Sequence, residues 1–323
     1  MQNIFNSLQK DLNKVIKIMD SELKGSENSF LSALLSHLNQ SRGKLLRPSL
    51  AICSARLRGE PASNFYLHIA AALEILHTAS LVHDDIIDRA ELRRGVPSIC
   101  HRYGNGEAVL LGDWLLAKSF TMITAIENIN ILKDSSQLFS ELTEGQFMEM
   151  NFKNQKSVTE NDYLRMIDLK TSSVFRWACS GAVHCNPDFS AEDAGKLKIF
   201  GSCFGALFQI TDDIIDIKSN RENAGKNTGY DLKNGLITLP VIKGLQIEKD
   251  RGENHLKKAI ETRNEDFFQT KLADYLEENG ALATCRQKSL ELRNQAFDCL
   301  SDFPDSPQKE TLKNCTDFAL NQI

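Results

Sequence analysis

The chain reads as all-α: one domain over residues 1–323, a bundle of roughly ten or more helices around a deep central cavity. Three observations predict this. Strict apolar and polar alternation is rare, whereas apolar residues recur at helical spacing over long stretches. Proline, which interrupts helices, numbers only 7 in 323 residues. Hydrophobic residues make up 41% and charged residues 25%, ample for a core and unlike a disordered or collagen-like chain. Neither a solenoid repeat nor a linker long enough to separate domains is visible.

Three helices are expected between Met1 and about Gly59, with Gly43 and Pro48 marking the break that begins the last of them. The first twenty residues spread polar side chains among apolar ones, which makes an amphipathic helix and not a signal peptide. Asn64 or Ser63 caps a helix that runs through Leu73 and Leu76 to Asp88. The polar stretch Arg89 to Gly106 is a loop. The helix from about Gly106 to Ile129 is strongly apolar (Val109, Leu110, Leu111, Trp114, Leu115), as suits a buried core helix or a subunit interface. Helices follow over Ser135 to Asn151, Thr159 to Cys185 and Ser190 to Ile217, the last opened by a capping box of Ser190 and Asp193. A Gly- and Asn-rich loop covers Ser219 to Asn234, and Thr238 to Gln246 is a short helix with Pro240 near its start. About four polar amphipathic helices fill Asn254 to Ile323, with a stop at Gly280.

The chemistry is concentrated in a repeat. Asp-Asp-Ile-Ile-Asp occurs at Asp84, Asp85 and Asp88, and again at Asp212, Asp213 and Asp216. On a helix, residues i and i+4 lie one above the other, so Asp84 meets Asp88 and Asp212 meets Asp216, and like charges so placed repel by roughly 0.2–0.5 kcal/mol. A single such pair is ordinarily a solvated face. Here Leu81, Val82, Ile86 and Ile87 flank one cluster and Phe208, Ile210, Ile214 and Ile215 the other, which makes both segments interior helices whose polar side meets a cavity. Partly buried carboxylates need a cation, and oxygen-only ligands suit Mg2+, which keeps room for water and substrate phosphates. The D-x-[DN]-x-[DN]-G loop of an EF-hand is absent.

Cationic residues complete the pattern. Lys44 and Arg47 fall one turn apart, His77 lies two turns before Asp84 on a similar face, and Arg93 and Arg94 can each make bidentate bonds to phosphate. The net charge of -5, with no dominant basic tract, gives no reason to expect nucleic acid. The eight cysteines show no CxxC spacing and sit mostly in apolar contexts, which fits a reducing cytoplasm. No run of about 18 apolar residues appears, so no membrane-spanning segment is expected.

Gly43 to Pro48, Glu74 to Asp88, Leu92 to Gly95, Gly112-Asp113, Lys170-Thr171, Gln209 to Asp216 and Gly225-Lys226 to Pro240 resemble, in order, the motifs of the trans-isoprenyl diphosphate synthases, or polyprenyl synthetases. The resemblance implies the isoprenoid synthase fold, a homodimer, and three Mg2+ per active site held by Asp84, Asp85, Asp88, Asp212, Asp213 and Asp216. It implies that Lys44, Arg47, His77 and Arg94 bind isopentenyl diphosphate, and that Arg93, Lys170, Gln209 and Lys226 contact an allylic prenyl diphosphate. Asp84, Asp88, Lys170, Thr171, Gln209 and Asp212 are then the catalytic set, with Thr171 and Gln209 offering oxygen dipoles to the allylic cation. Two positions depart from the family: Leu45 and Leu236 stand where basic residues are usual, so either Lys233 reaches in to replace the second or allylic binding is weaker than usual.

Ala79 and Ser80, five and four residues before Asp84, are small, and the first Asp motif carries no insertion. Short-chain members commonly have an aromatic or an insertion there, so a long-chain all-trans product of the quinone side-chain type is expected over farnesyl or geranylgeranyl diphosphate, with delivery at a membrane surface. A terpene cyclase has no need of a second diphosphate site, and a non-catalytic subunit of a heteromeric synthase would have lost one Asp cluster.

Overall fold

A computed structural model describes residues 2–24, 28–153, 155, 157–218 and 230–323. The described residues are almost wholly helical, and the contacts divide them into two compact units. One comprises Met1–Ser136, Trp177–Gly195 and Phe303–Leu312; the other Gln137–Arg176, Lys196–Asp302 and Lys313–Ile323.

The first unit is organised around the helix Phe65–Ile87, whose residues Ile69 to Leu73 are fully buried. Three alanines in this stretch, Ala70 to Ala72, favour helix and admit close neighbours. The helix is long and apolar enough to cross a membrane, yet two-thirds (67%) of that window is buried inside the fold, as in a core helix. Helix Asn105–Thr124 packs closely against it: the Ser119 hydroxyl donates to the Ala72 carbonyl at 2.9 Å, and a Cβ at Gly112 would lie 2.1 Å from His83 Nε2. Three short helices, Gln9–Leu23, Ser29–Asn39 and Leu46–Ala55, precede it as the sequence predicts. At its start, Asn64 makes no side-chain cap bond, while Ser63 Oγ accepts from the Phe65 amide at 3.5 Å.

Its C-terminal end is sharper than the sequence suggests. Arg89 takes a left-handed conformation (φ 52°), the Ala90 amide donates to Asp85 O and the Arg89 amide to Ile86 O, which is the paired closure of a Schellman motif. The segment expected as a loop is then ordered. Leu92–Arg93 and Val96–Pro97 form a two-residue hairpin, Arg93 opposite Val96, and the helix Ile99–Tyr103 follows, capped by Ser98.

In the second unit, Thr159 and Asp162 make a full capping box for the helix Glu160–Ile167. The helix expected through Cys185 is modified midway. A π turn covers Asp168–Ser172, with the Ser173 amide donating to Asp168 O, and α-helix resumes at Ser173–Gly181. Two glycines admit neighbours against this turn: a Cβ at Gly145 would meet the Lys170 backbone at 2.6 Å, and one at Gly205 would meet Ser172 Cα at 2.6 Å. The helix Ala191–Lys218 opens on the expected capping box, with reciprocal 3.0 Å bonds between Ser190 and Asp193. Its Ile210 and Ile214 enter an apolar core with Tyr163, Leu239, Leu276 and Leu282. Full burial of each such aliphatic side chain contributes about 1.5–3 kcal/mol. Five helices, not four, lie beyond residue 254, and Gly280 (φ 93°) ends one of them.

Candidate active site

The first Asp repeat lies at the C-terminal end of a helix: Asp84 and Asp85 occupy the last turn of Phe65–Ile87, and Asp88 is its cap. Asp212, Asp213 and Asp216 lie within the helix Ala191–Lys218. A helix C-terminus carries partial negative charge and disfavours carboxylates by typically 0.3–1 kcal/mol each. The three carboxylates of the first repeat therefore call for positive charge.

In the first unit that charge comes from Arg93. Its guanidinium binds Asp85 through two nitrogens, Nε at 3.0 Å. Burial opposes the charge on Arg93, but Asp85, Asp84 and Asp88 outweigh it and raise its pKa. Asp85 is buried by this contact, whereas Asp84 and Asp88 are half-buried.

A cavity adjoins this cluster, lined by His37, Ser41, Arg42, Gly43, Glu74, His77, Leu81, Asp85, Arg93 and Arg94. Arg94 reaches it from the hairpin turn, where Arg94 (φ 53°) and Gly95 (φ 80°) are both left-handed, as a two-residue turn between twisted strands requires. A non-glycine residue held so costs roughly 1–2 kcal/mol. The guanidinium donates to Ser41 O at 2.7 Å and lies over Gly43, where a Cβ would be 2.8 Å from Nη1. His77 is surrounded by cations. Burial first, then Arg47, Arg94 and Arg93, hold its pKa well below the ordinary value, so it is a neutral imidazole. Arg47 is pulled down to about 10 by burial, with Glu74 opposing and Arg94 adding to the shift; it remains cationic at neutral pH. Lys44 is exposed and lies outside the lining.

Glu74 is a site residue that the sequence reading missed. It is 7% exposed, one turn before His77; burial raises its pKa, and Arg47, Arg94 and Arg42 act against that rise. It heads the matched stretch Glu74 to Asp88, but was given no role there; its own signal is a charge inside an otherwise apolar helical row. Leu45 has a plain structural reading: it is buried and left-handed (φ 54°) immediately before the helix Leu46–Ala55, so its side chain packs inward. Ser80 is half-buried and stands one turn before Asp84 on the same face, whereas Ala79 is fully buried.

The second unit gathers Lys170, Thr171, Gln209 and the second Asp repeat. Lys170 Nζ donates to Glu149 Oε2 at 2.7 Å, and the Thr171 hydroxyl to Gln209 Oε1 at 2.8 Å. Asp213 is buried and accepts from the Tyr163 hydroxyl at 2.5 Å and from Gln209 Nε2 at 2.9 Å. Burial pushes its pKa well up, Asp231 and Asp212 add to this, and its two donors act in the opposite sense. Asp212 is raised by partial enclosure and by Asp216. Asp231, pushed up to about 7 by burial and then by Asp216, Glu149 and Asp212, with Lys170 opposing, also belongs to the site. Neither Glu149 nor Asp231 was assigned from sequence. Lys226 lies outside the described residues, as does the Lys233 side chain, while Leu236 packs on the apolar core.

These carboxylates fit a hard divalent cation. Their donor atoms are oxygen only, the kind such an ion prefers. Mg2+ binds through one or two carboxylates and completes its octahedron with water and substrate phosphates.

The polyprenyl synthetase family matches residues 28–275. The chain is 33% identical to the all-trans-nonaprenyl-diphosphate synthase (geranyl-diphosphate specific) of Rhodobacter capsulatus, over 92% of this chain and 91% of that protein. It is 31% identical to the octaprenyl diphosphate synthase of Escherichia coli (strain K12), over 93% of each. The crystal structure of a polyprenyl synthase from Caulobacter crescentus CB15, complexed with calcium and isoprenyl diphosphate, superposes with a TM-score of 0.89 at 26% identity, covering 99% of this chain and 97% of that one. Repeated Asp clusters on two helices, a cationic cavity beside the first of them and an isoprenoid synthase fold agree with this match over most of the sequence: the chain belongs to the polyprenyl synthetase family.

Proposed function

We propose that this protein joins isopentenyl diphosphate to an allylic prenyl diphosphate and repeats the addition to a long-chain all-trans polyprenyl diphosphate, the precursor of a quinone side chain. One observation carries the reading: the helix Phe65–Ile87 bears two unlike anion sites, carboxylates at its end for metal-bound diphosphate and, around His77, a cavity of arginines for diphosphate without metal. A terpene cyclase has no use for the second. The small Ser80 beside Asp84, and relatives named for eight and nine isoprene units, support the long product over farnesyl or geranylgeranyl diphosphate. The reading includes a homodimer, about three Mg2+ per active site, a cytoplasmic setting and delivery of product at a membrane surface.

Asp84, Asp88, Asp212 and Asp216 would hold the metal, with Asp85 and Asp213 completing the two clusters. Bound Mg2+ supplies positive charge to the departing diphosphate oxygens. Arg93 would offer its fork to the allylic diphosphate, and the family resemblance gives Lys170 and Lys226 the same ligand. The allylic C–O bond breaks, and the electron pair leaves with diphosphate. Thr171 and Gln209 place oxygen dipoles near the resulting cation, and apolar walls exclude water that would quench it. Arg47, Arg94, neutral His77 and Lys44 hold isopentenyl diphosphate so that its double bond attacks the cation. Loss of a proton to the departing diphosphate completes one addition.

Incubating the purified chain with Mg2+, farnesyl diphosphate and isopentenyl diphosphate, and sizing the products by chromatography, tests the reading; absence of any elongated prenyl product overturns it. Arg94→Lys is expected to raise KM for isopentenyl diphosphate roughly tenfold and to change KM for the allylic substrate little, because the fork is lost and the charge kept. Arg93→Lys reverses the order. Equal shifts in both constants from each variant would remove the separate assignment. Gly43→Ala, which drives a methyl group into the Arg94 guanidinium, is expected to reproduce the Arg94→Lys pattern more weakly, with unchanged circular dichroism.

A further inference from the structure

Tyr163 has no place in the reaction as described, yet its side chain ends among the residues that perform it. It lies in the helix Glu160–Ile167, is 1% exposed, and donates its hydroxyl to one oxygen of Asp213. The other oxygen accepts the Gln209 amide nitrogen. A primary amide can turn end for end, and only its neighbours decide which end is which. With the nitrogen committed to Asp213, the Gln209 oxygen faces Thr171, and the Thr171 hydroxyl gives its single proton to that oxygen. The Thr171 lone pairs take no part in that bond and can serve another partner. Four side chains on three helical segments thus form one directed chain of hydrogen bonds, Tyr163 to Asp213, Gln209 to Asp213, Thr171 to Gln209. Its buried end lies among apolar groups, where an alternative arrangement leaves a polar atom unsatisfied.

We propose that Tyr163 is a positioning residue of this active centre, fixing through Asp213 the orientation of the Gln209 amide and the Thr171 hydroxyl. The inference rests on the prenyl-transfer reading above and deepens it. It separates two functions within the second repeat: Asp213 orients dipoles beside the reacting carbon, and Asp212 and Asp216 serve the metal.

A double-mutant cycle on the full-length protein tests it. Tyr163→Phe keeps the ring and is expected to lower kcat about tenfold while KM for isopentenyl diphosphate stays within about twofold. Gln209→Ala is expected to lower kcat by a similar or larger factor. The combined variant is expected to be no slower than Gln209→Ala alone, because the tyrosine acts only through that amide. If the two factors multiply, Tyr163 has a separate structural role and the proposal fails. A second measurement needs no turnover: calorimetric titration of Tyr163→Phe with Mg2+ and inorganic diphosphate is expected to give the unaltered affinity within about twofold. A tenfold loss would mean that the tyrosine supports the metal site instead, and would also overturn the proposal. Should Tyr163→Phe fail to fold, Tyr163→Met, which fills the volume without a hydroxyl, takes its place in the same cycle: a combined loss no larger than that of Gln209→Ala supports the positioning role, and multiplying losses refute it. Multiplying factors in an otherwise active enzyme refute the positioning role alone; an unaltered chain that elongates no prenyl diphosphate refutes the functional reading and the positioning role with it.

Discussion

Asp84→Ala and Asp212→Ala are each expected to lower turnover by roughly a thousandfold or more, while the helical circular dichroism stays intact. Asp84 stands in the last turn of its helix, one turn from Asp88 and beside Asp85. Removing a carboxylate there relieves repulsion from its neighbours and from the helix end, about 0.3–1 kcal/mol in the metal-free protein, and gives up its attraction to Arg93. The two effects oppose, so the variant is expected to melt in chelator close to the unaltered chain while losing catalysis. Near-normal activity of either variant at saturating Mg2+ would show that the carboxylate does not serve the metal. A lowered melting point in chelator would show that it is a structural element instead.

Ser80→Phe is expected to shorten the product to roughly three or four isoprene units with ionisation little affected, since an aromatic ring one turn from Asp84 on the same face fills the path of the growing chain. Ala79→Phe behaves differently. Ala79 has no exposed surface, so the ring must displace packed neighbours, and a loss of about 1–3 kcal/mol in stability is expected before any change in product. Product chromatography and thermal melts distinguish the two. An unchanged length distribution from folded, active Ser80→Phe would place the floor of the cavity on another helix.

The elements with a local chemical signature were legible in the sequence. Ser190 with Asp193, Thr159, and Gly280 mark real helix boundaries because capping and left-handed closure are decided by a few adjacent residues. The Asp repeats were legible for the same reason, as identical charges at i and i+4. The hairpin at Leu92 to Pro97 was not: two-residue strands are too short to alternate, and Arg94 occupies a turn position where Asn or Gly is the recognisable signal. Glu74 was overlooked because its meaning comes from Arg42, Arg47 and Arg94, which reach it from other segments. The sequence also treats the three Asp of each repeat alike. On a helix the second is rotated by about 100° from the first, so Asp85 meets Arg93 and Asp213 meets Tyr163 and Gln209.

The π turn at Asp168–Ser172 has a consequence for how this segment tolerates change. A single π turn holds about one residue more than an α turn, so the helix beyond it is out of phase by about 100° with the helix before it. Val174, Phe175 and Ala178 face the interior, and Arg176 reaches Asp168 and Glu141, only because that extra residue is present. Deleting one residue from 168–172 would restore a regular helix and swing Phe175 and Arg176 to the wrong sides together. Side chains here can be exchanged singly with local effects, but the length of the stretch is fixed: one codon more or fewer rotates everything that follows.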